Sequence, residues 1–201
     1  MSERWETLDA GIEVIEGTEQ LDRFAEVIDQ ATSPIEGTSW FPALRGDWLG
    51  HSLHPLLTDL PIGFWTSAWF LDLLGGKRSR IAGRRLVGFG VLWATPTLAA
   101  GVAEWRMLRS PASRRVASVH AIGNVAATLV YYLSWRRRCQ ERHAAGITWG
   151  MLGALIATIT GFLGGHLSYG RQAGTGRRGR STRRGIAPVL GEGEIRLASV
   201  P

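Results

Sequence analysis

Cysteine is nearly absent: Cys139 is the only one in 201 residues. That excludes an internal disulfide, a paired CxxC zinc site and a four-cysteine iron–sulphur cluster built by this chain alone. Charge is missing from three long stretches. Residues 86–103, 116–135 and 144–169 hold no Asp, Glu, Lys or Arg, and residues 55–74 carry only Asp59 and Asp72. One such run fits a buried core, but four in succession leave no polar shell for a globular fold. Each reaches the roughly 18 to 20 residues that a helix needs to cross about 30 Å of hydrocarbon. The segment ahead of the first run is acidic and polar, so that run reads as a retained span rather than a cleavable signal.

What charge there is sits outside these runs. The 23 Lys and Arg against 17 Asp and Glu give a net +6. The basic residues gather at Lys77 to Arg85, at Arg106 to Arg115, at Arg136 to Arg142 and from Arg171 onward. This placement suits anchoring to the anionic headgroups of a lipid bilayer, and no soluble aromatic-bearing basic stretch points to nucleic acid.

The fold class expected is all-α: an integral membrane up-down-up-down four-helix bundle, with a short N-terminal amphipathic helix and a flexible C-terminal tail. Residues 1–48 form the extramembrane leader, 49–170 the four-span domain and 171–201 the basic tail. In the leader, Leu21, Phe24, Val27, Ile28 and Ala31 share one helical face, with Thr18 as N-cap. Trp40, Phe41 and Trp48 suit an interfacial belt. The stretches "GGKRSRIAGRR" and "RRRCQERHAAG" are short enough to force antiparallel neighbours. Gly153, Ala157, Gly161 and Gly165 form a small-residue stripe for close helix approach. Pro96 kinks the second span, where Thr95 or Thr97 can satisfy a freed carbonyl. Basic residues on the two sides nearly balance, and the polar leader places both termini in the cytoplasm, in the cell membrane.

In such a bundle the polar residues of "GHSLHPLLTDLPIG" share one end with those closing the second and fourth spans. His54, Glu104 and His166 fall about 12 Å from the span centres at 1.5 Å per residue, with His120 and Asp59 deeper. His120, Asn124 and Thr128 step by four along one face, and Trp105 and Tyr169 complete a polar network. Ionisable groups in hydrocarbon tend to face inward and find partners, so a pocket open toward the termini is expected. His51 and Tyr169 read as headgroup-level anchors, His54 also as the start of a helix cap, and Asp72 and His143 as interfacial residues of the opposite end.

Three chemistries suit these residue types. His54, His120 and His166 can offer axial ligands to haem b, making a redox or electron-transfer module. His54, Asp59, Glu104, His120 and His166 can instead hold a divalent metal. A proton or quinone site is the third. The alternative of a different class is a non-catalytic membrane scaffold, with the same residues locking the helices together. A transport pathway would require a homo-oligomer. No spacing here has the specificity of HExxH.

"WLGHSLHPLLTDLPIGFW", "GVAEWR", "VHAIGNVAATLVY" and "GGHLSYGRQAG", in this order, resemble a family of four-span bacterial membrane proteins called domain of unknown function 2231. The resemblance covers about residues 48–170. That family's opening motif reads His-Pro-Leu-His-Pro; here Ser52 takes the place of the first proline, and Glu104 that of an aspartate. Some members look like fusions to a Rieske domain after the fourth span, which implies a module near electron transfer, with a redox protein or quinone as partner. This chain has no Cys-x-His pair, although "VLGEGEIRLASV" resembles the first strand of such a domain.

Overall fold

Three uncharged runs become three long helices, and a fourth helix carrying two aspartates packs among them. The computed structural model describes residues 2–170, with side chains from Asp9 to Ser168. Helix α1 spans Ser2–Gly17, α2 Asp22–Thr32 and α3 Phe41–Arg45; α4 spans Leu53–Leu74, α5 Arg80–Trp105, α6 Pro111–Cys139 and α7 His143–Gly165. A π turn, His166–Gly170, ends the last helix. No strand occurs among the described residues. Residues 171–201, with the expected basic tail, lie outside them.

Gly76–Trp105, Pro111–Cys139 and His143–Ser168 are long and apolar enough to cross a membrane. Helix α4 has the length, 22 residues, but its aspartates and prolines lower its apolarity. Helices α4 and α5 pair closely, as do α6 and α7, while α5 also packs on α6 and α4 touches α7. The central core joins Trp65 and Ala68 of α4 to Val87 and Ala94 of α5 and to Tyr131 of α6.

Glycines set the approach of α7 to α6, along a different line from the stripe expected. Gly146, Gly150 and Gly153 face Ser134, Arg138 and Tyr131, while Gly164 faces His120. Nothing lies within 4 Å of a Cβ at Gly161 or Gly165. The physical reason is period. Steps of four overshoot 3.6 residues per turn and drift round the helix, whereas 146, 150, 153, 157, 160 and 164 alternate four and three and hold one face.

The leader docks on the end of this assembly where α5 closes and α6 opens. Ile12 of α1 buries itself against Val116 and Leu163, and Ala25 of α2 against Trp105 and Ala117. The apolar face expected on α2 is not the docked one: Phe24 and Val27 are exposed, and Ala25 and Ile28 face inward. Charge sets this rotation. Asp22 takes Arg115 on both oxygens at 2.7 Å, Asp29 takes Arg114 at 2.6 Å and Arg106 at 2.9 Å, and Glu36 takes Arg106 at 2.6 Å. These arginines therefore hold the leader, not lipid headgroups. Thr18 caps no helix start; its hydroxyl donates back to the Val14 carbonyl at the end of α1. Trp40 and Trp48 are exposed as an interfacial belt requires, but Phe41 is buried.

Arginine hydrogen bonds hold the carboxyls of Asp22, Asp29 and Glu36 below their usual range, from Arg115, Arg114 and Arg106 respectively. A depressed folded pKa contributes stability above the unfolded value near 4 and loses it as pH falls through the folded value. Hydrogen exchange is thus expected to show α2 protected at pH 7 and released as pH falls below the ordinary carboxylate range, with α7 unchanged. Exposed pairs are screened by salt, so molar salt should weaken the docking at pH 7 as well. Protection of α2 that is constant from pH 7 to pH 2 would contradict this account.

Candidate functional site

Two of the expected site histidines meet. The His54 and His120 rings stand edge to face with centroids 6.1 Å apart. His54 lies in the first turn of α4, and its Nδ1 is 2.9 Å from the Thr97 carbonyl of α5. A carbonyl only accepts, so Nδ1 carries the proton. His120 repeats the bond across the other pair, Nδ1 lying 2.7 Å from the Thr160 carbonyl of α7. Its Nε2 is then an acceptor, met by the Asn124 amide at 2.9 Å, and the Thr160 hydroxyl donates to Asn124 Oδ1 at 2.9 Å. The three residues form a closed ring, completed through the Thr160 main-chain carbonyl. Glycine makes both approaches feasible: a Cβ at Gly101 would come within 2.9 Å of the His54 ring, and one at Gly164 within 2.6 Å of the His120 ring.

Thr97 also answers a proline. Pro61 has no N–H for the Leu57 carbonyl four residues earlier, and the Thr97 hydroxyl, shared with the Trp93 carbonyl at 2.8 Å, reaches Leu57 O at 3.2 Å. The freed carbonyl served is that of Pro61 on the neighbouring helix rather than that of Pro96.

The other expected members are dispersed. Asp59 is exposed on α4. Glu104 accepts a hydrogen bond from Ser52 at 2.9 Å, and Trp105 is buried beneath Arg114, whose guanidinium lies 4.3 Å from the indole centroid. His166 Nε2 is 3.5 Å from Glu16 Oε1 of the leader. His51 is exposed, and the side chain of Tyr169 lies outside the described residues. Among the described residues no three His, Cys, Asp or Glu side chains converge as metal ligands.

Haem fits no better. Two imidazoles in edge contact leave no slot for a macrocycle, and the Nε2 of His120 is held by Asn124. Of the expected pocket, the structure brings together a histidine pair with its own hydrogen-bond partners. The cause is helical phase: Asp59 is five residues after His54 and so lies on another face.

An unexpected polar pair occupies the opposite end. Arg138, 3% exposed in its side chain, gives both terminal nitrogens to Asp72, at 2.7 and 2.5 Å, and its Nε to Ser134 Oγ at 3.3 Å. Asp72 is thus the half-buried partner of an ion pair. "RRRCQ" hides this inward arginine among outward ones; only Arg138 shares the phase of Tyr131 and Ser134.

His54, Trp65 and Asp72 on α4 correspond in register to His120, Tyr131 and Arg138 on α6, each 66 positions later. Gly83, Gly90, Thr97 and Gly101 on α5 correspond likewise to Gly146, Gly153, Thr160 and Gly164 on α7, here each 63 positions later. The contacts repeat too. Gly90 lies under Trp65 and Gly153 under Tyr131, while Gly83 and Gly146 flank the Arg138–Asp72 pair. The two hairpins are parallel repeats, and three pairs of counterparts meet between them: imidazole on imidazole, indole stacked on phenol at 3.9 Å and 8°, and carboxylate on guanidinium. "TPTLAAG" and "TITGFLGG" carry a trace of this repeat in their shared Thr-x-x-x-Gly.

A family model described as "Predicted membrane protein (DUF2231)" matches residues 50–177. No curated protein and no solved structure matches the chain.

Proposed function

The chain belongs to the DUF2231 family of predicted membrane proteins, and from that premise we propose a non-catalytic scaffold of the cytoplasmic membrane, spanning it four times with α4 to α7. The observation that carries this reading is the closed His120, Asn124 and Thr160 ring, whose hydrogen bonds are used within the protein. Helix α4 is the fourth span. Its Asp72 is neutralised inward by Arg138, and Asp59 lies about 9 Å into the helix, near enough to one end to reach headgroups. The leader forms an extramembrane cap docked on the end where α5 closes and α6 opens, and that end is cytoplasmic. A reporter fused at residue 201 should be active only in the cytoplasm.

Interhelical hydrogen bonds in membranes contribute on the order of 1 kcal/mol each. His120→Ala is expected to lower unfolding stability in mild detergent by about 1–2 kcal/mol, because Asn124 and Thr160 lose partners together. His120→Ala and Thr160→Val should be strongly non-additive in a double-mutant cycle. The purified parent should show neither a Soret band nor stoichiometric metal. Either signal, abolished by His120→Ala, would replace the scaffold with the redox reading and its quinone or redox-protein partner.

A further inference from the structure

The two hairpins repeat each other everywhere on the central axis, but not in the grooves beside it. Between α5 and α6, Trp135 lies against Gly88, where a Cβ would come within 2.7 Å of the indole. That groove is filled. The counterpart of Trp135 is Trp69 on α4, and the counterpart of Gly88 is Met151 on α7. A methionine where the repeat has glycine denies the indole its seat, and Trp69 and Met151 are 45% and 58% exposed. The α4–α7 face is accordingly uncovered at Trp69 and Met151, above a narrow cleft of about 10 Å³ lined by Trp69, Ile147 and the Arg138–Asp72 pair.

At its polar end this cleft meets a cavity of about 260 Å³, bounded by Lys77, Arg80, Arg138, His143 and Asp72. Arg138 and Asp72 cancel. Lys77 and Arg80 have no acidic partner among the described residues, and α7 begins at His143 without a side-chain cap on its amides. The cavity therefore presents two uncompensated cations and the positive end of a long helix. It sits where α5 begins and α6 ends, at the level of the headgroups, and the groove leading from it along the bundle is apolar.

We propose that the α4–α7 groove binds one anionic phospholipid, its phosphate in the cavity between Lys77, Arg80 and the start of α7, and an acyl chain along Trp69, Ile147 and Met151. The chemistry is complementary at both ends. A zwitterionic lipid would bring its own cation into a cavity that already holds two, and inorganic phosphate would leave the apolar groove unused. This assignment rests on α4 being a span, since otherwise the groove would face water. It does not depend on the scaffold reading.

The test uses the full chain in nanodiscs of phosphatidylcholine alone or with phosphatidylglycerol, and in detergent with inorganic phosphate. Phosphatidylglycerol is expected to raise the melting temperature by about 5 °C over phosphatidylcholine, as a ligand near saturation would. Lys77→Gln/Arg80→Gln, two exposed positions, should abolish that rise while keeping the melting temperature in phosphatidylcholine. Arg136→Gln/Arg137→Gln, which removes the same charge outside the cavity, should keep the rise. Native mass spectrometry should show one retained phosphatidylglycerol on the parent and none on Lys77→Gln/Arg80→Gln. Equal loss in the two double variants would overturn the site in favour of diffuse attraction. A rise with inorganic phosphate but not with phosphatidylglycerol would overturn the lipid assignment, as would no rise with any probe. Failure of Lys77 and Arg80 variants to matter leaves the His120 result untouched, so the two proposals fail separately.

Discussion

Arg138→Ala is expected to cost about 3 kcal/mol or more of unfolding stability, the largest effect of a single side chain in this protein. The guanidinium is satisfied on three nitrogens, by both oxygens of Asp72 and by Ser134. Its removal leaves a carboxylate that is 13% exposed without the guanidinium that both its oxygens bond. Asp72→Asn should cost a comparable amount, because the amide still accepts one of the two hydrogen bonds but leaves the guanidinium, 3% exposed, without its carboxylate. Arg138→Lys should behave more like the alanine variant than its charge suggests, since a single ammonium cannot replace the fork that spans both oxygens. The informative variants are double. Asp72→Leu/Arg138→Met should be more stable than Arg138→Ala, because much of the single-variant cost is the stranded charge rather than the lost bond. Asp72→Arg/Arg138→Asp should recover part of the loss, because the two positions are counterparts in the repeat. Thermal or denaturant unfolding in detergent reads all five. A swap no better than either single reversal would show that the axis does not relate these positions.

Trp65→Ala is expected to cost about 3 kcal/mol as well, by emptying the centre of the axis. Trp65 stacks on Tyr131 and donates to the Val87 carbonyl at 3.4 Å, so its loss removes a ring contact, a hydrogen bond and much of the packing between hairpins. Its neighbour Gly90 sharpens the prediction. A Cβ there would run into the Trp65 indole, so Gly90→Ala alone should destabilise by about 1–3 kcal/mol through overpacking. With alanine at 65 the obstruction is gone, and the same change should become stabilising, by up to the ~1 kcal/mol that separates glycine from alanine in a helix. A change of sign between the two backgrounds is the outcome to look for in the unfolding free energies. Gly90→Ala of equal cost in both would mean that the glycine is not there to seat the indole.

Much of this architecture was legible before any coordinates, and the parts that were not share a cause. Three spans announce themselves through the absence of charge, and the short basic connections make neighbours antiparallel. The polar residues were a harder matter. Spacing placed His120 and Asn124 on one face, and they do bond. Depth placed His54, His166, Glu104 and Asp59 at one end, and most of them are there, but each answers to a different neighbour: Thr97, Glu16, Ser52 and, for Asp59, the outside. Depth is one coordinate of three. The rotation of each helix depends on its partners, and in this chain those include leader residues such as Asp22 and Asp29, whose claim on Arg115 and Arg114 no periodicity reveals.

By itself the sequence determined that this protein is helical and built for a bilayer, because the cost of an unpaired charge or an open backbone group in hydrocarbon is large and acts on composition alone. It also carried the repeat, in positions that only contacts make conspicuous. Tertiary structure decided which arginine of three turns inward, which histidines meet, and which of two equivalent grooves stays open. Those outcomes depend on how one helix's side chains seat against another's, where a glycine at 88 and a methionine at 151 admit or refuse the same indole.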